Sequence, residues 1–481
     1  MRKIGVVLTS VALAVGMLFF GSCGGATDSM RKAKDQTASR PNILFVMTDD
    51  QPKDTMIAMP EVSTRVRDMG MSLQNAYVSE SLCCPSRASI LRGQYPHNTG
   101  VERDGPPNGG VQTFRGNGKE SSTIATLLEQ SGYATGLVGK YMNGYDASYT
   151  PPGWSYWYAK ADASTPGKLA RENGTVIDYA GKPGNWGDRL DEKAMGFLDH
   201  STDQASDGPF ALFFWTAQPH LQAGDYADRY ANMYTRVALP SKPSFDEADV
   251  SDKPQWVQDL PRISPGDRDQ LTQWRRNQLR SVRQVDDTVG KMLDLLDQRG
   301  ELDNTYVVFT TDNGTHMGEH RWFGYHGAKN TAYEEAANVP MYVRGPGVGV
   351  GSTSGKLVLN NDLAPTFARI AGLALPSYVD GRSLLPVWGG NGAAWRTAIL
   401  NERSVEVANP IPAYRAAITR RYTYVEYDTS DSEKEFYNRK NDPYELVNAY
   451  DPAAPPFVLA SRLQGLEGCA RDACRVAEDV P

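Results

Sequence analysis

The stretch "NILFVMTDD", Asn42 to Asp50, is a continuous apolar run that ends in two acids. A run of this kind reads as a strand buried on both faces, with carboxylates at its C-terminal end. "TYVVFTTDNG", Thr305 to Gly314, has the same form and ends in Asp312 and Asn313. Between them lie further strand and helix signals. "SSTIATLLEQSGYATGLVGKY" reads as a helix, a glycine stop at Gly132, then a strand to Val138. "DEKAMGFLDH" followed by "PFALFFWTAQPH" repeats that pattern and closes at His220.

Pro60 and the residues after it suggest a further helix start. From Arg268 to Gly300, Val282, Val285, Val289, Met292, Leu293 and Leu296 fall on one helical stripe. "NVPMYVRGPG" predicts a strand and "NDLAPTFARIAGL" a helix. Alternation of helices with buried strands predicts an α/β fold, a large, mostly parallel sheet sandwiched by helices. Ligands of such sheets bind beyond the carboxyl ends of the strands. Those ends here carry Asp49, Asp50, Lys140, His220, Asp312 and Asn313.

After about Asp380 the texture changes. "YRAAITRRYTYVEYD" and "EKEFYNRKNDPYELVNAY" read as hairpin strands with a turn at Asn441-Asp442-Pro443. The expected division is a catalytic domain over 40–380 and a smaller C-terminal α+β subdomain with an antiparallel sheet over 381–481.

The chain has 481 residues, 40% hydrophobic and 22% charged, which is globular composition with room for more than one folding unit. A net charge of −7 supplies no basic footprint for nucleic acid. Residues 1–23 have a basic start, an apolar stretch and small residues, the form of a signal peptide. The end Phe20-Gly21-Ser22-Cys23 resembles a bacterial lipobox, which predicts a cell-envelope protein held to the membrane only by a lipid on Cys23. Ordinary signal cleavage and an uncleaved anchor are the alternatives. Residues 24–39 are small and polar and read as a flexible tether.

Export leads to an oxidising compartment, where Cys469 and Cys474 can bridge. Of the five cysteines, the adjacent Cys83 and Cys84 then lack obvious partners.

Cys83-Cys84-Pro85-Ser86-Arg87, continued to Gly93, resembles the signature C-x-P-S-R-x-x-x-L-x-G of the type I sulfatases, which have an alkaline-phosphatase-like fold. In isolation "CCPSR" is also a helix cap with buried thiols. The resemblance continues, in the family's order, through "ILFVMTDDQ", "GLVGKYMNGY", "FFWTAQPH", "VVFTTDNGTHMGEH", "HGAKNTAYEEAANVPMYVRGPG" and the C-terminal "EFYNRKNDPYELVN". It implies that Cys83 is oxidised by a formylglycine-generating enzyme to 3-oxoalanine (formylglycine), whose hydrate is the nucleophile. The placement suits the chemistry. Pro85 fits a first helical turn, and a helix N-terminus favours an anion. Arg87, one turn in, can hold the nucleophile's second oxygen or the sulfate.

The resemblance further implies that Asp49, Asp50, Asp312 and Asn313, joined by the modified Cys83, hold a divalent metal. All-oxygen ligation points to calcium, with magnesium as runner-up. Taken singly, "TDD" reads as a loop turn and "DNG" as a type I′ turn. Lys140 and Lys329 match sulfate-binding lysines. His220 matches the histidine at the sulfate and leaving-group oxygen, and His316 is a further candidate. Many members carry a histidine two residues after the first lysine, where this chain has Met142, followed by Asn143. "GKYMN", "CCPSRASIL" and "PHN" (Pro96 to Asn98) are instead similar to the N-acetylglucosamine-6-sulfatases and extracellular heparan sulfatases. The base for sulfate release is therefore His220 or His316.

The implied activity is sulfate ester hydrolysis on a sulfated carbohydrate, such as N-acetylglucosamine 6-sulfate units, or on an aryl sulfate. The alternatives are a phosphonate or phosphodiester hydrolase of the same superfamily, and a non-catalytic lipoprotein that binds sulfated glycans. Specificity is expected in loops 146–188 and 223–266. The aromatics of "YTPPGWSYWY", Tyr149 to Tyr158, either stack on a sugar face or pack the loop.

Overall fold

Strand β1 (Asn42–Thr48) is buried along its whole length. The reason is visible in how its side chains divide. Ile43, Phe45 and Met47 enter one apolar cluster, with Phe213 and Phe367, while Leu44 and Val46 enter another, with Val285 and Leu293. Successive side chains of a strand point to opposite faces, so a strand covered on both sides has no polar positions. This computed structural model describes residues 40–203, 208–220, 225–324, 328–391, 394–404 and 409–480. The expected signal peptide, Cys23 and the tether lie outside the described residues.

The other strands of this sheet are β2 (Met71–Tyr77), β3 (Ala134–Lys140), β4 (Tyr156–Lys160), β5 (Leu169–Glu172), β6 (Thr175–Asp178), β7 (Phe210–Trp215), β8 (Thr305–Thr311), β9 (Tyr342–Arg344) and β10 (Ser352–Leu359). Their order is β10-β2-β9-β8-β1-β7-β3-β4-β5-β6. β8, β1, β7, β3 and β4 run parallel. β9, the "NVPMYVRGPG" strand, is only three residues long and runs antiparallel to both β2 and β8. The expected α/β sheet is thus mixed and mostly parallel. The register places Met47 opposite both Trp215 and Thr310, so the carboxyl ends of β1, β7 and β8 finish level.

Helices α1 (Cys83–Arg92), α2 (Ile124–Gln130), α3 (Trp186–Ser201), α4 (Pro265–Gln298) and α5 (Leu363–Ile370) supply the cover. α4 starts a turn before the expected Arg268 because Ser264 caps it. The Ser264 hydroxyl accepts the Asp267 N–H at 3.2 Å, and the Asp267 carboxylate accepts the Ser264 N–H at 3.2 Å. The predicted stripe is buried in full, each such side chain contributing ~1.5–3 kcal/mol. No helix among the described residues is long and apolar enough to cross a membrane.

The C-terminal region forms a separate antiparallel sheet of β11 (Ala398–Arg403), β12 (Tyr414–Thr419), β13 (Tyr422–Tyr427) and β14 (Lys434–Asn438). Helices α6 (Phe457–Leu466) and α7 (Asp472–Asp479) follow, and a disulfide joins Cys469, in the link between them, to Cys474 in the first turn of α7. The N–H of Glu402 in β11 donates to the Ser79 carbonyl at 2.9 Å, which ties this sheet to the segment that leads into α1.

The rings of "YTPPGWSYWY" are largely structural. Trp157 is fully buried and packs edge-on to Tyr141 and Tyr145, and Trp154 packs against Phe213.

Candidate active site

Helix α1 begins at Cys83, after Leu82 in extended conformation, and ends at Gly93, whose φ of +67° is a left-handed stop. Pro85 lies in the first turn, where its missing N–H costs nothing. The two cysteines have different surroundings. Cys84 faces the core, where its sulfur accepts the Asn143 N–H at 3.1 Å. Its own N–H donates to Asp104 Oδ1 at 2.9 Å. Cys83 faces the carboxyl ends of the strands. Its Sγ lies 2.9 Å from Lys329 Nζ, 3.7 Å from Asp49 Oδ1 and 4.0 Å from Asp50 Oδ1.

Asp49 and Asp50 follow β1, and Asp312 and Asn313 follow β8. Arg87 binds across the two strands. Its Nη2 donates to Asp49 Oδ2 and its Nε to Asp312 Oδ2, both at 2.9 Å. Its Nη1 donates to the Lys140 carbonyl at 2.8 Å, and the guanidinium lies over Trp215. With Nε, Nη1 and Nη2 engaged, Arg87 braces two carboxylates. Lys140 closes the same group, Nζ 2.5 Å from Asp49 Oδ2. It projects from the end of β3 beside Gly139, where a Cβ would lie 1.8 Å from the Trp215 carbonyl oxygen. Only glycine lets β3 approach β7 there.

Asp50 adopts φ +56°, a conformation disfavoured for a side-chain-bearing residue. Its Oδ1 accepts from Lys329 Nζ and Asn313 Nδ2, both at 2.6 Å. His220 Nε2 stands 3.3 Å from Asp50 Oδ2. His316 makes its contacts elsewhere. Its Nε2 is 2.8 Å from Thr331 Oγ1, and its ring packs edge-on to His320 and Tyr333.

The electrostatics follow from burial. Burial pushes the Asp49 carboxyl up, but Lys140 and Arg87 outweigh it and hold the group well below the usual carboxylate range. Burial, reinforced by the charge of Asp49, pushes Asp312 up to about 6. Burial raises the Cys83 thiol well above its ordinary value, with Asp49 adding to the effect and the two lysines opposing it. It would lower Lys140 and Lys329, yet the carboxylates of Asp49 and Asp50, respectively, outweigh it and hold both cationic. Burial lowers His220 against the pull of Asp50 and Asp49, and takes His316 down to about 3.

The donor set fits a hard divalent cation. Asp49, Cys83 and Asp312 offer ligand atoms within 4.8 Å of one another, as do Asp49, Asp50 and His220. Asp50 Oδ2 and Asn313 Oδ1 are buried and accept no hydrogen bond. Orphaned buried oxygens among crowded carboxylates are what a cation would satisfy.

Three further residues near α1 have no signature in the sequence. Asp104 accepts the Cys84 N–H. Asn360 accepts the Ser79 N–H at 3.0 Å and donates to Ser86 Oγ at 2.9 Å, bracketing the turn before α1. Glu80 is 1% exposed, and its two carboxyl oxygens have no hydrogen-bond partner. It lines a cavity of about 210 Å³ with Glu102, Glu402, Arg403 and Tyr414. The contacts of Asp104 and Asn360 join loops distant in sequence, where neither period nor spacing carries a signal.

The chain resembles known proteins in sequence and in fold. The family model described as Sulfatase matches residues 41–373, and that of the N-sulphoglucosamine sulphohydrolase C-terminal region matches 318–466. The chain is 30% identical over 509 residues to the N-acetylglucosamine-6-sulfatase of Capra hircus, covering 95% of this chain and 87% of that one. It is 32% identical over 405 residues to an extracellular sulfatase SULF-1 homolog of Drosophila melanogaster, covering 81% of this chain. It spans only 35% of the length of that relative. A solved structure in complex with its substrate, D-glucosamine-2-N,6-O-disulfate, superposes with a TM-score of 0.74 at 25% identity, covering 89% of this chain and 97% of that one.

Proposed function

The chain belongs to the sulfatase family, sulfuric ester hydrolases with an alkaline-phosphatase-like fold, and from that premise we propose that it hydrolyses sulfate esters of sugars, N-acetylglucosamine 6-sulfate units in particular. The observation that carries the reading is Cys83 at the first turn of α1, its sulfur 2.9 Å from Lys329 Nζ and beside the carboxylates of Asp49 and Asp50. The sugar is supported by the relative from Capra hircus and by the glucosamine disulfate of the solved structure.

This reading takes Cys83 as the site of formylglycine, installed by a formylglycine-generating enzyme. Asp49, Asp50, Asp312 and Asn313 would hold the divalent cation, calcium before magnesium. When bound, these groups supply an oxygen nucleophile and neutralisation of sulfate charge. The chain's own residues do the rest. Lys140 and Lys329 set two ammonium charges toward the sulfate in a buried site, where fixed charge acts most strongly. Arg87 holds Asp49 and Asp312 in register. His220, in contact with Asp50, gives a proton to the leaving sugar oxygen. It is also the better placed of the two histidines to act in sulfate release, because the His316 ring is turned to Thr331, His320 and Tyr333 rather than to the carboxylate cluster.

The Cys469–Cys474 disulfide supports an exported protein. The proposed location is the bacterial cell envelope, with the lipid anchor on Cys23. Domains over 40–380 and 381–481 correspond in this reading to the two sheets.

The matured protein, offered N-acetylglucosamine 6-sulfate, an aryl sulfate and an aryl phosphodiester side by side, should release sulfate from the sugar. Turnover of the phosphodiester alone would move the assignment to the rival hydrolase. Binding of the sulfated sugar without turnover would move it to the glycan-binding lipoprotein.

A further inference from the structure

The C-terminal sheet has two ends. At one, Glu402 of β11 bonds to Ser79, four residues before Cys83. At ~3.4 Å per residue, the other end of this six-residue strand, at Ala398, lies roughly 14 Å from Glu402. There, Lys356 of β10, Trp395 before β11, the turn between β12 and β13, and the start of α6 enclose a cavity of about 860 Å³.

The walls of this cavity include the rings of Trp395, Tyr422, Phe436 and Phe457. Tyr422 and Phe436 stack with centroids 5.5 Å apart. Phe457 and Val458 are 74% and 63% exposed, so an apolar surface stands open at the mouth. Lys356, Arg420, Arg421 and Arg462 stand among the rings, and no carboxylate is among the described lining residues. Arg396, also in the wall, is committed to Asp362 and Glu478. In a chain of net charge −7, this is a local concentration of positive charge.

Two features of the wall define its occupant. The rings accept a ligand with flat C–H faces, and the cations require that the ligand be anionic. A purely apolar peptide would desolvate the arginines without pairing them, and an inorganic anion would leave the rings uncovered. A sulfated sugar chain meets both demands. We propose that this cavity is a second binding site, for a sulfated glycan segment, separate from the catalytic cluster. It retains a polyanionic chain at the enzyme and takes no part in the chemistry.

The test uses the full-length Cys83→Ala chain and a fluorescent heparin hexasaccharide. Adding Arg420→Ala and Arg462→Ala together should weaken binding at least ~10-fold, the loss expected for charge-assisted contacts. The affinity should also fall as salt is added. The same two substitutions in the chain with Cys83 intact should leave turnover of a small aryl sulfate unchanged, which separates this site from the catalytic reading and reports correct folding. Hexasaccharide affinity equal in the two Cys83→Ala proteins would overturn the proposal. Capture by phosphatidylglycerol vesicles in preference to the hexasaccharide would overturn it too, in favour of a membrane surface.

Discussion

Lys329 Nζ lies 2.9 Å from Cys83 Sγ, with both side chains buried. The ammonium reaches the helix N-terminus from a segment almost 250 positions further along the chain, and it also pairs with Asp50 at 2.6 Å. It therefore contacts the proposed nucleophile precursor and a metal-ligand candidate together. Lys329→Ala should lower kcat by about 10²–10³, the loss typical of one preorganised charge-stabilising donor. Steady-state kinetics on an aryl sulfate would show it. An unchanged kcat with a raised KM would limit Lys329 to ground-state binding.

Arg87 is fully buried between Asp49 and Asp312. Removing one partner of a buried ion pair leaves the other uncompensated and costs ~3–5 kcal/mol. Arg87→Ala should destabilise the fold on that scale. Arg87→Lys should recover little, because an ammonium cannot span two carboxylates and a carbonyl in the guanidinium's fork. Denaturant unfolding of the two variants would measure this, and a fully stable Lys variant would count against the bracing role.

Metal removal should act on stability as well as on rate. Asp50 Oδ2 and Asn313 Oδ1 have no hydrogen-bond partner without a cation. A cation about 100-fold above its dissociation constant should stabilise the native state by about 2.7 kcal/mol. Thermal unfolding after chelation, then with calcium or magnesium restored, reads this independently of turnover. Asn313→Ala should shrink the calcium-dependent rise in Tm. A Tm insensitive to chelator and to either ion would remove the cation from the account.

His97, of the "PHN" stretch, hydrogen-bonds through Nδ1 to Glu402 at 2.7 Å and through Nε2 to the Cys469 carbonyl at 2.8 Å. Burial disfavours its charge, but the Glu402 hydrogen bond and charge outweigh it and raise the imidazole from 6.5 to about 9. A raised folded-state value stabilises the protein below the unfolded value, and the gain is lost as pH rises through the folded one. His97→Gln should therefore cost most stability near pH 6, at most ~3 kcal/mol, and little above pH 9. Urea midpoints of both proteins across that range would test it, and a pH-independent difference would contradict it.

Much of the fold was legible because burial on both faces writes itself as an uninterrupted apolar run, as in β1 and β8. The stripe Val282 to Leu296 announced α4, while its first turn depended on the Ser264–Asp267 cap, a short-range signal easily passed over. The antiparallel β9 was legible as a strand but not in direction, because three residues carry no mark of their partner. At the site, strand-end acids and the cysteine motif were visible as sequence. The distinct settings of Cys83 and Cys84 were not, since Asn143 and Asp104 reach Cys84 from loops. Glu80 carries no signal for a related reason: one acid in a polar loop looks solvated in sequence, and its burial comes only from the packing around it.

The central claim is that Cys83 is the nucleophile's precursor. Mass spectrometry of the tryptic peptide from Asp68 to Arg87, taken from protein matured in a host with the oxidising enzyme, addresses it directly. In that peptide the Cys83 thiol should have become an aldehyde while Cys84 keeps its sulfur, and sulfatase activity should follow the converted fraction. An unmodified thiol at Cys83 in fully active protein would contradict it.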